Sequence, residues 1–138
     1  MSARDWVEQG EAVLLAAGVP EARVKAEWWA AEVAEVSRER LDTVFPGEPA
    51  RRRFEEGIGR VARHEPLQHV IGRTPFLDLD LVTDARALIP RPETEELAMR
   101  VLGCAPLWAR GEVVVADVGT PGGAIERSEE HTSELQSP

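Results

Sequence analysis

The chain has 138 residues and lacks several features that would each assign it to a narrower class. It has one cysteine, Cys104, so an internal disulfide and a cysteine-rich metal site are both excluded, and a reducing compartment is the simplest setting. Cys104 follows a helix-like apolar run and reads as a small core residue rather than a nucleophile. No run of 18 apolar residues occurs, and the N-terminal "MSARDWVEQGEAVLL" carries acids where a signal peptide needs an apolar stretch, so the protein is expected to be cytoplasmic. Basic residues are outnumbered 16 to 25, a formal net charge of −9, whereas a general nucleic-acid binder shows a basic face. Aromatics are few, four Trp and three Phe, so a small core here has to lean on its tryptophans. What remains, 43% hydrophobic and 30% charged, is globular composition at the size of one domain, or one small domain with part of another.

The first 65 or so residues read as helices. Ser2 is placed to cap a helix over residues 3–17, with Trp6, Val13, Leu14 and Ala17 on one face and Gly18 at the left-handed position past its end. Pro20 is expected to open a second helix, whose stripe of Val24, Trp28 and Ala31 is widened by Trp29, Val33 and Val36. "SRERLDTVFPGEP" reads as a short helical turn broken by Pro46 and Gly47. A third helix between about Pro49 and His64 carries Phe54, Ile58, Val61 and Ala62, and the charges of "RRRFEE" read as its solvated face.

Beyond residue 65 the pattern changes. Leu77, Leu79 and Leu81 alternate with Asp78 and Asp80, the period of a half-buried strand; "ARALIP" is the expected return strand after a turn around Asp84. Pro90 and Pro92 then hold an extended segment ahead of a helix with Leu97, Val101 and Leu102 on one stripe, ended by Gly103. The apolar run over residues 113–118 reads as a strand buried on both faces, a type that needs parallel neighbours.

Three places could carry chemistry. The glycine-rich turn after residue 118 lets a ligand approach the main chain, but it has neither the lysine of a phosphate-binding loop nor the middle glycine of a dinucleotide fingerprint, since Pro121 stands there. "IPRPETEE" is a stiff loop bearing Arg and Thr, suited to meeting a ligand; the plainer alternative is that Arg91 pairs with Glu93 or Glu95 and the prolines cap a helix. His64 and His69 are five apart with no third ligand, so structural or solvent-facing histidines are expected and no metal site.

In order and spacing, "EPLQHVIG", "PFLDLDLVTDARALIPRPETEEL" and "VVVADVGTPGGAI" resemble the release-factor glutamine methyltransferases, the PrmC or HemK family, over roughly residues 8–125. The resemblance implies a mainly α N-terminal helical bundle of release-factor-recognition type (residues 1–72), a β-hairpin linker (73–92) and the truncated start of an α/β Rossmann-like methyltransferase domain (93–126). It implies methyl transfer from S-adenosylmethionine to the side-chain amide of the glutamine in a Gly-Gly-Gln loop of peptide chain release factors. Asp117, Gly119, Thr120 and Gly123 match the family's cofactor loop, and Arg91, Glu93 and Thr94 match the segment beside cofactor and substrate. Pro121 replaces a family glycine, removing an amide donor and forbidding positive φ. The family's Asn-Pro-Pro-Tyr motif, which positions the poorly nucleophilic amide nitrogen, is not in the sequence, so no catalytic residue is assigned and the chain alone is expected to be inactive.

The last twelve residues, 127–138, match the translation of a widely used short-read sequencing adapter residue for residue and are expected to be an artefactual tail without function. The alternative to the enzyme reading is a non-catalytic helical module that docks a protein partner; methylation of another target, such as DNA or a ribosomal protein, is disfavoured for DNA by the acidic charge. Neither reading involves a membrane or direct nucleic-acid binding. Residues 1–103 are expected to hold the helical fold, and in a hydrogen-exchange measurement on the monomer the amides of residues 113–118 should be unprotected. Protection there would mean that the strand has found partners within the chain.

Overall fold

A computed structural model of the protein describes residues 1–116 and 118; the chain divides into two units, Met1–Ile71 and a second beginning at Gly72. The first is helical. Helix α1 (Ala3–Ala16) opens on a capping box, in which the Ser2 hydroxyl accepts from the Asp5 amide and the Asp5 carboxylate accepts from the Ser2 amide. Helix α2 (Ala22–Ala34) begins later than expected: Pro20 lies in the preceding turn, and Glu21, at φ 55°, breaks the helical path between them. A 3-10 turn (Arg38–Thr43) leads to α3 (Glu48–Ala62), and the short α4 (Leu67–Ile71) closes the unit.

Three helices end in the same device. Gly18, Glu35 and His64 adopt φ of 70°, 55° and 64°. The amides that follow reach back to the last turns: Val19 to Leu14 O at 3.0 Å, Val36 to Ala31 O at 3.1 Å and Glu65 to Arg60 O at 3.2 Å. Only the first stop uses the expected glycine, so the other two hold a side chain in a disfavoured backbone region.

The core is centred on aromatic rings set against glycines. Trp6, Val7 and Leu14 of α1, Ala22, Ala26, Trp29, Ala30 and Val33 of α2, and Phe54, Ile58 and Val61 of α3 are buried together. A Cβ on Gly10 would stand 2.9 Å from Phe54 Cζ, and one on Gly57 would stand 2.2 Å from the Trp29 ring. These two missing side chains are the space the rings occupy. The Trp29 indole N–H donates to the Phe54 carbonyl at 2.9 Å, which satisfies the one polar atom that burying the ring would otherwise strand.

Three positions expected inside lie outside. Val13 and Val24 are about half-exposed, and so is Trp28, whose ring is covered by the Arg38 guanidinium 4.3 Å from its centroid. On α2 the buried stripe runs through Ala22, Ala26, Trp29, Ala30 and Val33, because alanines allow α1 to approach closely where a larger stripe would hold it off. The "RRRFEE" face is solvated as expected, with the pairs Arg51–Glu55 and Arg52–Glu48 one turn apart.

The second unit carries an antiparallel hairpin, β1 (Arg73–Phe76) and β2 (Leu79–Val82), then α5 (Pro92–Leu102) and the short α6 (Ala105–Trp108). The protein is thus mainly helical with one small hairpin. The hairpin is one strand out of place relative to the sequence reading: its tip is Leu77 and Asp78, and "ARALIP" forms no strand. Asp84 does make a turn, accepting from the Arg86 amide at 2.9 Å, but that turn leads out of the hairpin. Phe76, Leu81 and Ala98 are buried together, with Leu77 and Leu79 against them, so the expected alternation holds on its apolar side. Leu97 is half-exposed, and Ala98 is the buried residue of α5. Cys104, expected inside, is exposed. Residues 113–116 and 118 form no strand and Val114 and Val118 are over 90% exposed; a strand buried on both faces needs parallel neighbours, and the described residues contain none. Among the described residues no helix is long and apolar enough to cross a membrane.

Gly57→Ala is expected to destabilise the helical unit by about 3 kcal/mol, because the methyl would have to displace a buried indole. Gly59 provides the control, since its Cβ would meet only Arg63 Nη1 at 3.8 Å, and alanine there should stabilise α3 by up to about 1 kcal/mol. Urea midpoints of the two variants test this, and equal midpoints would show that the ring does not need the gap.

Candidate functional site: the hairpin and the start of α5

The segment "IPRPETEE" becomes the entry to α5. Arg91 is its N-cap, at φ −91° and ψ 154°, the extended conformation a residue before proline is driven into. Pro92 occupies the first helical position, where its missing N–H costs nothing. The amides of Thr94 and Glu95 both reach the Arg91 carbonyl, at 3.0 and 3.3 Å, which closes the first turn. Arg91 and Glu93 are exposed and Thr94 is half-buried. Arg91 makes no ion pair among the described residues, so the expected pairing with Glu93 or Glu95 is not formed. The residue is exposed, on a backbone held by the two prolines that flank it.

Glu95 is engaged elsewhere. Its carboxylate accepts from the Leu77 amide at the hairpin tip, at 2.6 Å and partly buried. The hairpin is further braced by an ion pair across the strands, Arg73 to Asp80 at 2.7 Å, and the Thr83 amide extends the ladder to the Gly72 carbonyl at 3.0 Å. At the other end of α5, the Trp108 indole donates to the Val101 carbonyl at 3.0 Å.

Within the first unit, "HEPLQHV" is a helix stop followed by a new helix. His64 takes the left-handed position, and the Arg60 guanidinium clamps the Glu65 carboxylate through both oxygens, at 2.8 and 2.6 Å. That hydrogen bonding holds the Glu65 carboxyl below the usual carboxylate range and the Arg60 guanidinium above its own. His64 is exposed; His69 buries its Nε2 without a hydrogen-bond partner among the described residues. No group of three metal-ligating side chains exists among the described residues.

Of the residues singled out in the sequence, the structure brings Arg91, Glu93 and Thr94 into one turn. Asp117, Gly119, Thr120 and Gly123 lie outside the described residues. Among the described residues the turn itself lies at the surface, with Arg91 and Glu93 exposed and Thr94 half-buried. Sequence reasoning missed Glu95. The available signal was an acid three residues ahead of Ala98, on the face of α5 that turns inward.

The helical unit with this stop motif falls within one family model: that described as the PrmC N-terminal domain matches residues 5–72. Three proteins named release factor glutamine methyltransferase are similar over most of the chain. The one from Streptomyces coelicolor is 36% identical over 119 residues, covering 86% of this chain and 42% of that protein. The one from Mycolicibacterium smegmatis is 41% identical over 128 residues, covering 88% and 43%. The one from Deinococcus radiodurans is 37% identical over 132 residues, covering 91% and 45%. The chain belongs to the PrmC/HemK family. It spans less than half the length of these curated relatives.

The Arg60 clamp has a pH signature. Because the folded value of Glu65 is depressed, the clamp stabilises fully above the ordinary glutamate value of about 4.3, and its contribution is lost as pH falls through the lower folded value. Urea midpoints taken from about pH 6 down to about pH 3 should therefore fall less steeply in Arg60→Gln than in the parent. Parallel curves would mean that the carboxylate gains nothing from the guanidinium.

Proposed function

We propose that the chain is the N-terminal part of an S-adenosylmethionine-dependent methyltransferase that methylates the side-chain amide nitrogen of the glutamine in the Gly-Gly-Gln loop of peptide chain release factors, in the cytoplasm. The observation that carries this is the exposed, preorganised Arg91 turn following the hairpin, in a chain whose relatives are named for that reaction. Residues 1–72 act as the recognition bundle, residues 73–92 as the linker, and residues 93–126 as the start of the methyltransferase domain. Residues 127–138 contribute nothing to it.

In this reading the chain's own groups bind and orient. Arg91, with a fixed backbone and a guanidinium that makes no ion pair among the described residues, meets an anionic or carbonyl group of cofactor or substrate; Glu93 and Thr94 flank it with an acceptor and a hydroxyl. Asp117, Gly119, Thr120 and Gly123 hold the methyl donor, with Pro121 changing the loop that the family builds from glycine. An amide nitrogen is a poor nucleophile, and the sequence contains no Asn-Pro-Pro-Tyr motif to position it. This chain is therefore expected to bind without transferring a methyl group.

Titrating the ¹⁵N-labelled chain with the release-factor domain that carries the Gly-Gly-Gln loop tests this. Weak, cofactor-independent shifts in the helical unit and at residues 91–94 are expected, with no methylated product when S-adenosylmethionine is added. Shifts confined to the helical unit would favour the non-catalytic docking module, and no shifts at all would overturn release-factor recognition.

A further inference from the structure

An acid in the first turn of a helix ordinarily faces solvent and interacts with the free amides of its own helix. Glu95 instead reaches the hairpin. Leu77 must adopt φ 53° to turn the chain at the tip, a conformation that disfavours a branched side chain, and its amide has turned away from the two-stranded ladder. The Glu95 carboxylate takes that amide at 2.6 Å, within the range of a charge-assisted bond. One turn along the helix, Ala98 is buried with Phe76 and Leu81. A single face of α5 therefore holds the hairpin at two points, one polar at the tip and one apolar behind it. The residues directly preceding Glu95 are the exposed Arg91 turn.

We propose that Glu95 is a positioning residue: by holding the Leu77 amide it fixes residues 91–94 to the hairpin tip, so that a ligand meets the turn and the hairpin as one surface. The inference rests on the proposed function in so far as that turn meets cofactor or substrate. It also says which residue makes the linker rigid there. The apolar contact alone would let the first turn of α5 pivot about Ala98, whereas a second, directional contact three residues away stops that motion.

The test uses the ¹⁵N-labelled chain with Glu95→Ala, Glu95→Gln and, as control, Glu96→Ala, whose carboxylate pairs with Arg100. In Glu95→Ala the Leu77 amide proton should move upfield and exchange about tenfold faster, with accompanying shifts at Glu93 and Thr94. Glu95→Gln keeps a carbonyl acceptor and should restore most of both effects; Glu96→Ala should change neither. Added release-factor domain should perturb residues 91–94 in the parent and in Glu95→Gln but not in Glu95→Ala, while its perturbation of the helical unit stays the same in all. A loss of helix alone would not give that pattern. A Leu77 amide indifferent to Glu95→Ala, or a glutamine variant no better than alanine, overturns the proposal. If Glu95→Ala unfolds the second unit, acid titration of the parent decides instead: the Leu77 resonance must follow protonation of a carboxylate, and a resonance that stays still overturns the proposal. Absence of any release-factor binding with the Leu77 effects intact would overturn the functional reading and leave the coupling standing.

Discussion

An indole ring can lie against a helix backbone only where a side chain is missing, and Trp29 has that place at Gly57. The ring presses on α3, its N–H reaches the Phe54 carbonyl, and the Phe54 ring in turn sits 5.6 Å from that of Trp6. Gly10 opens α1 to Phe54 in the same manner. The three longest helices of the bundle are thus joined through three aromatic rings and two glycines. This compensates for a shortage: with so few aromatics, a bundle of this size has little apolar area to bury, and close packing of the rings it does have matters more than their number.

The second unit is held differently. Among the described residues its buried apolar set is Phe76, Leu81 and Ala98, too small to fix a helix direction by packing. The polar links supply direction: Glu95 to the hairpin tip, Arg73 across the strands, Thr83 to Gly72. Each takes a backbone or charged group that the small core cannot enclose and gives it a defined partner. The proline-bounded turn at Arg91 is stiff for a third reason, since both neighbours of the arginine have φ locked by their rings.

Much of the helical unit was legible in the sequence because its signals are local. Ser2, three residues ahead of Asp5, set the start of α1, Gly18 its end, and the 3.6-residue period of Phe54, Ile58 and Val61 the buried face of α3. At α2 the period places Ala31, Trp29 and Val33 correctly inside but sets Val24 and Trp28 with them in place of Ala22, Ala26 and Ala30, whose value is in being small. The hairpin was legible as a pattern but not as a register. Alternation identifies which residues share a face, yet the tip fell on Leu77 and Asp78, where neither glycine nor asparagine marks it. Of the candidate site, the Arg91 turn could be read from its prolines. For Glu95 the helical period marks only the face it lies on, three residues ahead of Ala98; its partner, a backbone amide eighteen residues away, leaves no mark in the sequence.

The repeated helix stops at Gly18, Glu35 and His64 also set an order of events for a chain leaving the ribosome. Each stop is specified within six residues or so of the helix it ends, so α1 and α2 have defined lengths as soon as they are synthesised. Residues 17–21 are a short connection, and its closure is fast on the timescale of synthesis. The pair formed in this way presents a Trp29 ring and N–H whose partners, Phe54 and Gly57, have not yet been made. The Trp29 N–H thus finds its acceptor only twenty-five residues further along the chain, and the core is complete only with Val70 of α4, later still.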